Sequence, residues 1–260
     1  MSTVSYAAGD SLTMLRRNLK HARRYPAQTF SVVLMPVTIL LLFDYAYGGT
    51  PGAGIGGGGR VDHVTPGIVL MAATAGSLMT AVGVCVDMTG GIVNRFRTMA
   101  IAHSSFLAGH VLGSLIRTAA GLLIVAAAAF ATGFRPDADA LEWLAAGGLL
   151  LFVTLALTWV SVGIGLAAGT PESAGNLPLP LQFLPFVGSA TVPPDSMPTA
   201  LRRFAEYQPF TPLTETLRGL LTGTAIGSSG VVSLAWCTGL TAAGYLWARA
   251  AFRRPVERWR

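Results

Sequence analysis

The chain has 260 residues, of which 52% are hydrophobic and 12% charged, and its mean hydropathy is +0.56. A soluble domain typically carries about 25% charged residues, so this composition excludes a globular domain built around one core and indicates a polytopic membrane protein. The net charge of +6 does not predict nucleic-acid binding, because the basic residues cluster at the ends of apolar runs and form no basic stripe with interleaved aromatic residues.

The chain opens with a basic amphipathic stretch over residues 1–26. Leu12, Leu15 and Leu19 recur there at helical spacing. Cationic side chains surround these leucines: Arg16, Arg17, Lys20, Arg23 and Arg24. The pattern predicts an interfacial helix that prefers the cytoplasmic leaflet, either as a plain membrane anchor or as a contact surface for a soluble subunit. The first apolar run begins only near Phe30 and is longer than the apolar region of a signal peptide, so no cleavable signal is expected.

Six apolar segments are predicted to cross the membrane as helices, which takes roughly 20 residues each. Their approximate ranges are 27–47, 64–86, 106–131 or 111–131, 143–168, 177–192 and 231–252. The second is rich in small residues, which let helices approach closely, so it is expected inside the bundle. Pro178, Pro180 and Pro185 predict that the fifth is bent or broken. The expected fold class is an all-α integral membrane protein that forms a single domain over residues 1–260.

A short polar segment, residues 87–105, separates the second and third spans. It contains Arg95 and Arg97, and short cytoplasmic loops are enriched in Lys and Arg. A segment at that surface can receive a push from a soluble partner and transmit it to the helices on either side.

Residues 193–230 are amphipathic without forming a full apolar span. Their leucine pattern predicts two short helices broken at Pro209 and Pro212. These helices would form an outer hairpin that re-enters the membrane between spans five and six. Glu215 and Arg218 are three residues apart and are expected to face each other.

Basic residues are distributed unevenly over the predicted loops, with twelve in the inner segments and five in the outer ones. This bias predicts a multi-pass protein of a bacterial plasma membrane with six spans and both termini in the cytoplasm. Arg117 lies within the third span. It can snorkel to the surface if that span begins near Val111, and otherwise it has a polar role in a pathway across the membrane.

The sequence contains no ATP-binding or catalytic motif. The phosphate-binding pattern G-x-x-x-x-G-K-[ST] is missing, and Lys20 is the only lysine. The four histidines lack metal-ligand spacing, so we expect neither catalysis nor a bound cofactor or metal in this chain. Cys85 and Cys237 are predicted at different depths, and are therefore expected to be small buried residues without a disulfide.

Several spaced motifs resemble those of the ABC-2 type transporter permeases, specifically the daunorubicin-resistance type of drug or lipid exporter subunit. The matching segments are Leu15-Arg-Arg-Asn-Leu19, Asp87-Met-Thr-Gly-Gly-Ile-Val-Asn-Arg-Phe-Arg97, Glu172-Ser-Ala-Gly-Asn176, Pro193-Pro-Asp-Ser-Met-Pro198, Gln208-Pro-Phe-Thr211 and Leu217-Arg-Gly-Leu-Leu-Thr-Gly223. The chain departs from the family pattern at Asn94, Ala100 and His103, where the family has an acid, a proline and a basic residue.

The resemblance implies the transmembrane half of an ATP-driven exporter of hydrophobic or amphipathic drugs, lipids or secondary metabolites. Two such subunits, identical or different, would pair around a pathway, while a separate ATPase subunit binds ATP and Mg²⁺. The residues implied in contact with the ATPase are Arg16, Arg17, Arg23, Arg24, Asp87, Gly91, Arg95, Phe96, Arg97, His103 and Glu172. Those implied in a substrate pathway or gate are Arg117, Pro185, Gln208, Pro209, Glu215 and Arg218.

The alternative function is a passive channel or a membrane scaffold without coupled transport. A channel should carry rings of charged or carbonyl-lining residues at a constriction. Within the predicted spans only Asp44 and Arg117 stand out as charged. A neighbouring gene for a P-loop ATPase would favour the exporter.

Overall fold

A computed structural model describes residues 26–47, 60–90, 103–189 and 198–252. These residues form helices joined by turns and contain no strand, which confirms the all-α class for them. Three predicted features lie wholly or partly outside the described ranges: the interfacial helix, residues 91–102 of the polar segment 87–105, which we call the coupling segment, and residues 190–197 of the hairpin.

The helices follow in chain order as α1 Pro26–Tyr47, α2 Arg60–Thr89, α3 His103–Ala131, α4 Ala140–Ala167, α5 Pro171–Asn176, α6 Leu179–Phe183, a 3₁₀ helix Leu184–Val187, α7 Thr199–Tyr207, α8 Phe210–Thr222 and α9 Ser229–Phe252. Within the described ranges, four stretches are long and apolar enough to cross a membrane: Asp62–Thr89, Phe106–Ala131, Ala140–Ala167 and Ser229–Phe252. They correspond to the second, third, fourth and sixth predicted spans. α1 contributes a shorter apolar stretch, Val33–Phe43.

The fifth predicted span is broken, as its prolines indicate, into α6 and the 3₁₀ helix, and α5 lies just before it. Pro178 lies at the N-cap of α6, and Pro180 and Pro185 lie in the first turns of α6 and the 3₁₀ helix. Proline has no N–H to donate, so it fits the first turn of a helix, whereas inside a helix it removes one backbone hydrogen bond. The described part of this segment therefore contains no single spanning helix.

α2 lies at the centre of the bundle and is mostly buried, which confirms the prediction from its small residues. A side chain at Gly76 would clash with Thr118 on α3, and one at Gly165 on α4 would clash with the main chain of Ala81. These close approaches bring hydroxyl groups together across the helices. Thr80 Oγ1 donates to Ser114 Oγ at 2.8 Å, and Ser114 Oγ lies 3.2 Å from Thr158 Oγ1, so one chain of hydroxyls joins α2, α3 and α4.

Helices α7 and α8 form the described part of the predicted hairpin. Pro209 separates them as expected, but the second predicted break is wrong, because Pro212 sits in the first turn of α8, where no intrahelical N–H is needed. α8 is almost entirely buried, and its Phe210 and Leu217 belong to the same core cluster as residues of α2 and α4. α8 is therefore a short internal helix of the bundle and not a surface loop.

Helices α2, α3 and α4 alternate in direction and α9 runs parallel to α4, which gives the bundle two distinct ends. At one end, α2 and α9 finish and α3 begins, with Val84, Phe106 and Phe252 in a shared apolar cluster. We call this the Asp87 end. At the other, α2 and α9 begin, and α8 packs beside them. We call this the Arg218 end.

Candidate coupling and gate sites

The Asp87 end holds those predicted ATPase-contact residues that the structure describes: Asp87, His103 and Glu172. The remaining ones lie outside the described residues: Arg16, Arg17, Arg23, Arg24, Gly91, Arg95, Phe96 and Arg97. His103 is the first residue of α3.

Asp87 is buried in a side-chain pair that joins two helices. Its Oδ2 lies 3.0 Å from Nε2 of His110 on α3, and the two residues are only 6% and 8% exposed. The Phe106 ring meets the His110 ring edge-on at a centroid distance of 4.8 Å, and Phe106 in turn packs against Phe252 of α9. Asp87 thus lies where it can fix α2 against α3.

Glu172 reaches the same end from a different part of the chain. It is exposed in the first turn of α5, which begins with a capping box between Thr170 and Ser173. Ala174, on the opposite side of this short helix, is buried against Cys85 and Ala168. The Cys85 thiol donates to the Ala168 carbonyl at 3.6 Å, so α5 is seated on the last turns of α2. A displacement of α5 would therefore act directly on α2.

The Arg218 end gathers most of the predicted gate residues around α8. Nη2 of Arg218 donates to the carbonyl oxygen of Ser189 at 2.7 Å and to that of His63 at 3.2 Å. One guanidinium thereby joins α8 to the start of α2 and to the segment after the 3₁₀ helix. Burial lowers the pKa of Arg218 from its ordinary value, and the nearby Glu215 carboxylate opposes that shift.

Glu215 and Arg218 lie close enough for their charges to interact, as expected, but no salt bridge joins them in the described part of the chain. Glu215 Oε2 instead accepts a hydrogen bond from the Ser229 hydroxyl at 2.7 Å, which ties α8 to the start of α9. Their spacing along a helix permits a salt bridge. Glu215 instead bonds to a side chain on α9, and Arg218 bonds to the carbonyl oxygens of two other segments.

Gln208 and Pro209 lie at the junction of α7 and α8, where the main chain of Gly188 passes unusually close. A Cβ at Gly188 would come within 2.6 Å of Gln208 Nε2 and 2.8 Å of Thr211 Oγ1, so a side chain here would displace one or both of these polar groups. Gly188 N donates to the carbonyl of Pro185, so Pro185, another predicted gate residue, belongs to the same cluster. Pro185 is buried.

Three buried polar atoms around α8 have no hydrogen-bond partner among the described residues: Nε2 of His63, Oε1 of Gln208 and Nε of Arg218. Buried polar atoms are nearly always paired in proteins. Their concentration at this end distinguishes it from the apolar core beside it and gives it unused capacity to bind polar groups.

Arg117 does not join this cluster. α3 begins at His103, not near Val111, so Arg117 lies halfway along the helix, and both interpretations of its role stay predictions. It is partly exposed, beside Ile116, which is 45% exposed. In the part of the chain that the structure describes, no hydrogen bond or ion pair involves its side chain.

Sequence reasoning missed several residues of these sites. His63 and Ser189 contribute backbone carbonyls, for which the sequence carries no signal. His110 had a usable signal: Asp87 and His110 each lie near the end of one of two consecutive spans joined by a short segment, so they were candidates to meet across antiparallel helices. Cys85 and Cys237 are free and buried, as predicted. No three His, Cys, Asp or Glu side chains within the described ranges converge as a metal site.

Comparisons with known proteins identify the family. Residues 11–222 match the family model of the ABC-2 type transporter. The daunorubicin resistance ABC transporter permease protein DrrB1 of Streptomyces coeruleorubidus is 27% identical over 220 residues, which cover 84% of this chain and 77% of that protein. The probable doxorubicin resistance ABC transporter permease protein DrrC of Mycobacterium tuberculosis is 23% identical over 235 residues, covering 88% of this chain and 83% of that protein.

These matches confirm the resemblance that the spaced motifs indicated. The matched region includes α1 to α8 and the segment before α1. The family supplies the membrane component of ABC transporters, which works with a separate ATPase subunit. With four candidate spans in its described part, this chain belongs to the ABC-2 type transporter family as a multi-pass membrane permease.

Proposed function

We propose that this chain is the permease subunit of an ATP-driven exporter that moves hydrophobic or amphipathic compounds out of a bacterial cell. The observation that carries the proposal is the family match over residues 11–222. The two relatives above are named for resistance to daunorubicin and doxorubicin, which supports a drug-like amphipathic substrate.

The ATPase subunit binds at the Asp87 end, and ATP and Mg²⁺ belong to that partner. The basic stretch before α1, the arginines of the segment after Asp87 and the exposed Glu172 supply charged contacts for it. Two features support transmission from this surface: α5 rests on the last turns of α2, and Asp87 joins α2 to α3. Closure of the ATPase then biases a two-state bundle from one side.

Two permease subunits, identical or different, enclose the pathway, and Arg117 faces it. An arginine at the centre of a spanning helix normally faces a bundle interior or a water-filled cavity, because its desolvation is costly. Arg117 lies at the middle of α3 on a partly exposed side, without a partner in the described part of its own chain. A pathway between two subunits supplies the polar surroundings that it requires.

The gate lies at the Arg218 end, which faces the outside when both termini are cytoplasmic. In this topology the chain crosses the membrane six times, and α7 and α8 form a hairpin that re-enters it. The unpaired polar atoms of His63, Gln208 and Arg218 support transient binding of a substrate's polar groups as it leaves.

The experiment that tests the proposal is co-purification of the full chain with its ATPase. The double variant Arg95→Glu/Arg97→Glu should lower the co-purified ATPase at least about ten-fold while membrane insertion is unchanged, because reversed charges repel the docking surface. The matched control is Arg202→Glu/Arg203→Glu, which reverses two exposed arginines on α7 at the other end of the bundle.

Wild-type retention of the ATPase by the Arg95/Arg97 variant would disprove docking at that segment. A wild-type chain that purifies without any ATPase and conducts ions in planar bilayers would instead establish the passive channel.

A further inference from the structure

A cavity of about 300 Å³ lies between α2, α3, α4 and α8, toward the Arg218 end. Every residue that lines it is apolar except Thr65. Small residues on α3 and α4 create the space, among them Ala119, Ala126 and Gly147. A methyl group added at Gly147 would meet no atom within 4 Å. The volume falls at the lower limit of sites that bind small organic ligands.

The cavity opens sideways onto the surface of two candidate spans. Leu123 on α3 and Leu151 on α4 both line it, and they are 73% and 47% exposed. In a multi-pass membrane protein, apolar side chains exposed on spans lie against hydrocarbon. The medium at the mouth of the cavity is therefore lipid chains and not water.

The cavity is elongated along the helices. Its lining on α3 runs from Ala119 to Phe130. At a rise of 1.5 Å per residue this corresponds to about 16 Å, close to half of the roughly 30 Å hydrocarbon core of a bilayer. A slot with the depth of one leaflet fits a linear chain better than a compact ring system.

A cationic group lies at one end of this slot. Nη1 of Arg135 donates to the carbonyl oxygens of Phe130 at 2.9 Å and Phe134 at 3.0 Å, and both of these residues line the cavity. Arg135 is exposed, and a guanidinium has five N–H donors, so it retains donors for a phosphate. The nearby carboxylates of Asp139 and Glu142 accept each other's backbone N–H groups in the capping box of α4.

This cavity is not expected to be filled with water or to stay empty. Water needs two to four polar partners, which this lining does not offer, and an empty apolar void forfeits the dispersion contacts of its walls. We propose that the cavity binds one acyl chain of a membrane phospholipid, with the lipid phosphate at Arg135. This site does not depend on transport, and it requires only that the helices pack as described within a bilayer.

Native mass spectrometry of the full chain, purified in a mild detergent, tests the proposal by counting retained phospholipids. The variant Gly147→Leu fills the cavity from α4. Gly148→Leu is its matched control, because Gly148 also has no atom within 4 Å of an added methyl group but does not line the cavity. We expect the wild-type chain and Gly148→Leu to retain one phospholipid per chain, and Gly147→Leu to lose at least ten-fold in occupancy. Arg135→Gln should lose a few-fold, because only the phosphate contact is removed.

Ala126→Leu fills the same space from α3 and replaces Gly147→Leu if that variant does not fold. Equal lipid retention by a folded cavity-filling variant and by Gly148→Leu would overturn the proposal. So would a wild-type chain that retains no phospholipid, including one whose cavity mouth is covered by a second copy of the chain. Neither outcome bears on ATPase binding, so failure here is distinguishable from failure of the exporter assignment.

Discussion

At the Asp87 end two side chains join α2 to α3, whereas at the Arg218 end one cation joins α8 to main-chain carbonyls of two other segments. The carboxylate and the imidazole depend on each other's position, so the link is lost when either side chain is removed. The carbonyl oxygens belong to segments that are themselves packed, so the link at the Arg218 end depends on the guanidinium alone. The comparison teaches that breaking the pair at the Asp87 end affects two helices, whereas removing one cation at the Arg218 end affects three segments at once.

The largest effect is expected from Arg218→Met. It removes two hydrogen bonds from a charged donor, at about 1.5–3 kcal/mol each, so the free energy of unfolding should fall by about 3 kcal/mol or more. Reversible unfolding in mixed micelles measures this loss. Arg218→Lys keeps a cation with a different geometry and should recover part of the stability.

The control for that measurement is Arg203→Met, since Arg203 is exposed on α7. It should change stability by less than about 0.5 kcal/mol. If Arg218→Met lowers the free energy of unfolding no more than this control does, the hydrogen bonds of Arg218 do not hold α8 to the neighbouring segments.

A smaller effect is expected from the Asp87–His110 pair. A double-mutant cycle with Asp87→Ala and His110→Ala should give a coupling free energy of about 1–2 kcal/mol, because the two side chains form one buried hydrogen-bonded pair. The same variants should lower drug-stimulated ATPase activity of the assembled transporter, since α2 and α3 then respond separately.

A second cycle supplies the reference. Thr238 is exposed on α9, and its hydroxyl bonds within its own helix, so Asp87→Ala and Thr238→Ala should be additive within about 0.5 kcal/mol. Equal coupling in both cycles would mean that Asp87 and His110 do not act as a pair.

The smallest effect on stability is expected at Arg117, whose side chain makes no hydrogen bond or ion pair within the described part of the chain. Removing an arginine from the middle of a span relieves an insertion cost of about 2.5–3.5 kcal/mol, so Arg117→Leu should be as stable as the wild type or more so. Under the exporter function proposed above, accumulation of an amphipathic drug such as doxorubicin in inverted membrane vesicles supplied with ATP should nevertheless fall at least about ten-fold.

The matched change is Arg249→Leu, at an exposed arginine in the last turn of α9, which should leave accumulation near wild type. A loss of stability in Arg117→Leu comparable to that in Arg218→Met would show that Arg117 has a structural role, and would remove it from the pathway.

Hydropathy located the long helices well, because a span is defined by its own composition. α4 begins at Ala140 rather than Trp143 since Asp139 caps it and carries the helix beyond the apolar run. Proline chemistry likewise predicted the broken fifth segment. Pro212 misled because the same residue that interrupts a helix is well tolerated in its first turn.

The contacts that make the two ends different could not be derived in this way. The acceptors of Arg218 are main-chain atoms, which every residue possesses, so only the fold selects those of His63 and Ser189. Glu215 had a plausible partner three residues away, yet Ser229 on another helix took its place. Spacing along a helix indicates which side chains could pair, but the packing of distant segments determines which hydrogen bonds form.

The hydroxyl chain of Thr80, Ser114 and Thr158 limits how the permease can move. These side chains fasten three neighbouring spans to one another roughly 15 Å from the Asp87 end, well inside the hydrophobic layer, where a released hydroxyl finds few substitutes. Sliding one of the three past the others is thus penalised. Force delivered by the ATPase should swing α2, α3 and α4 as a single rigid unit, and α9 should move with them because its Gly244 lies against the main chain of Trp159 and Val160 on α4.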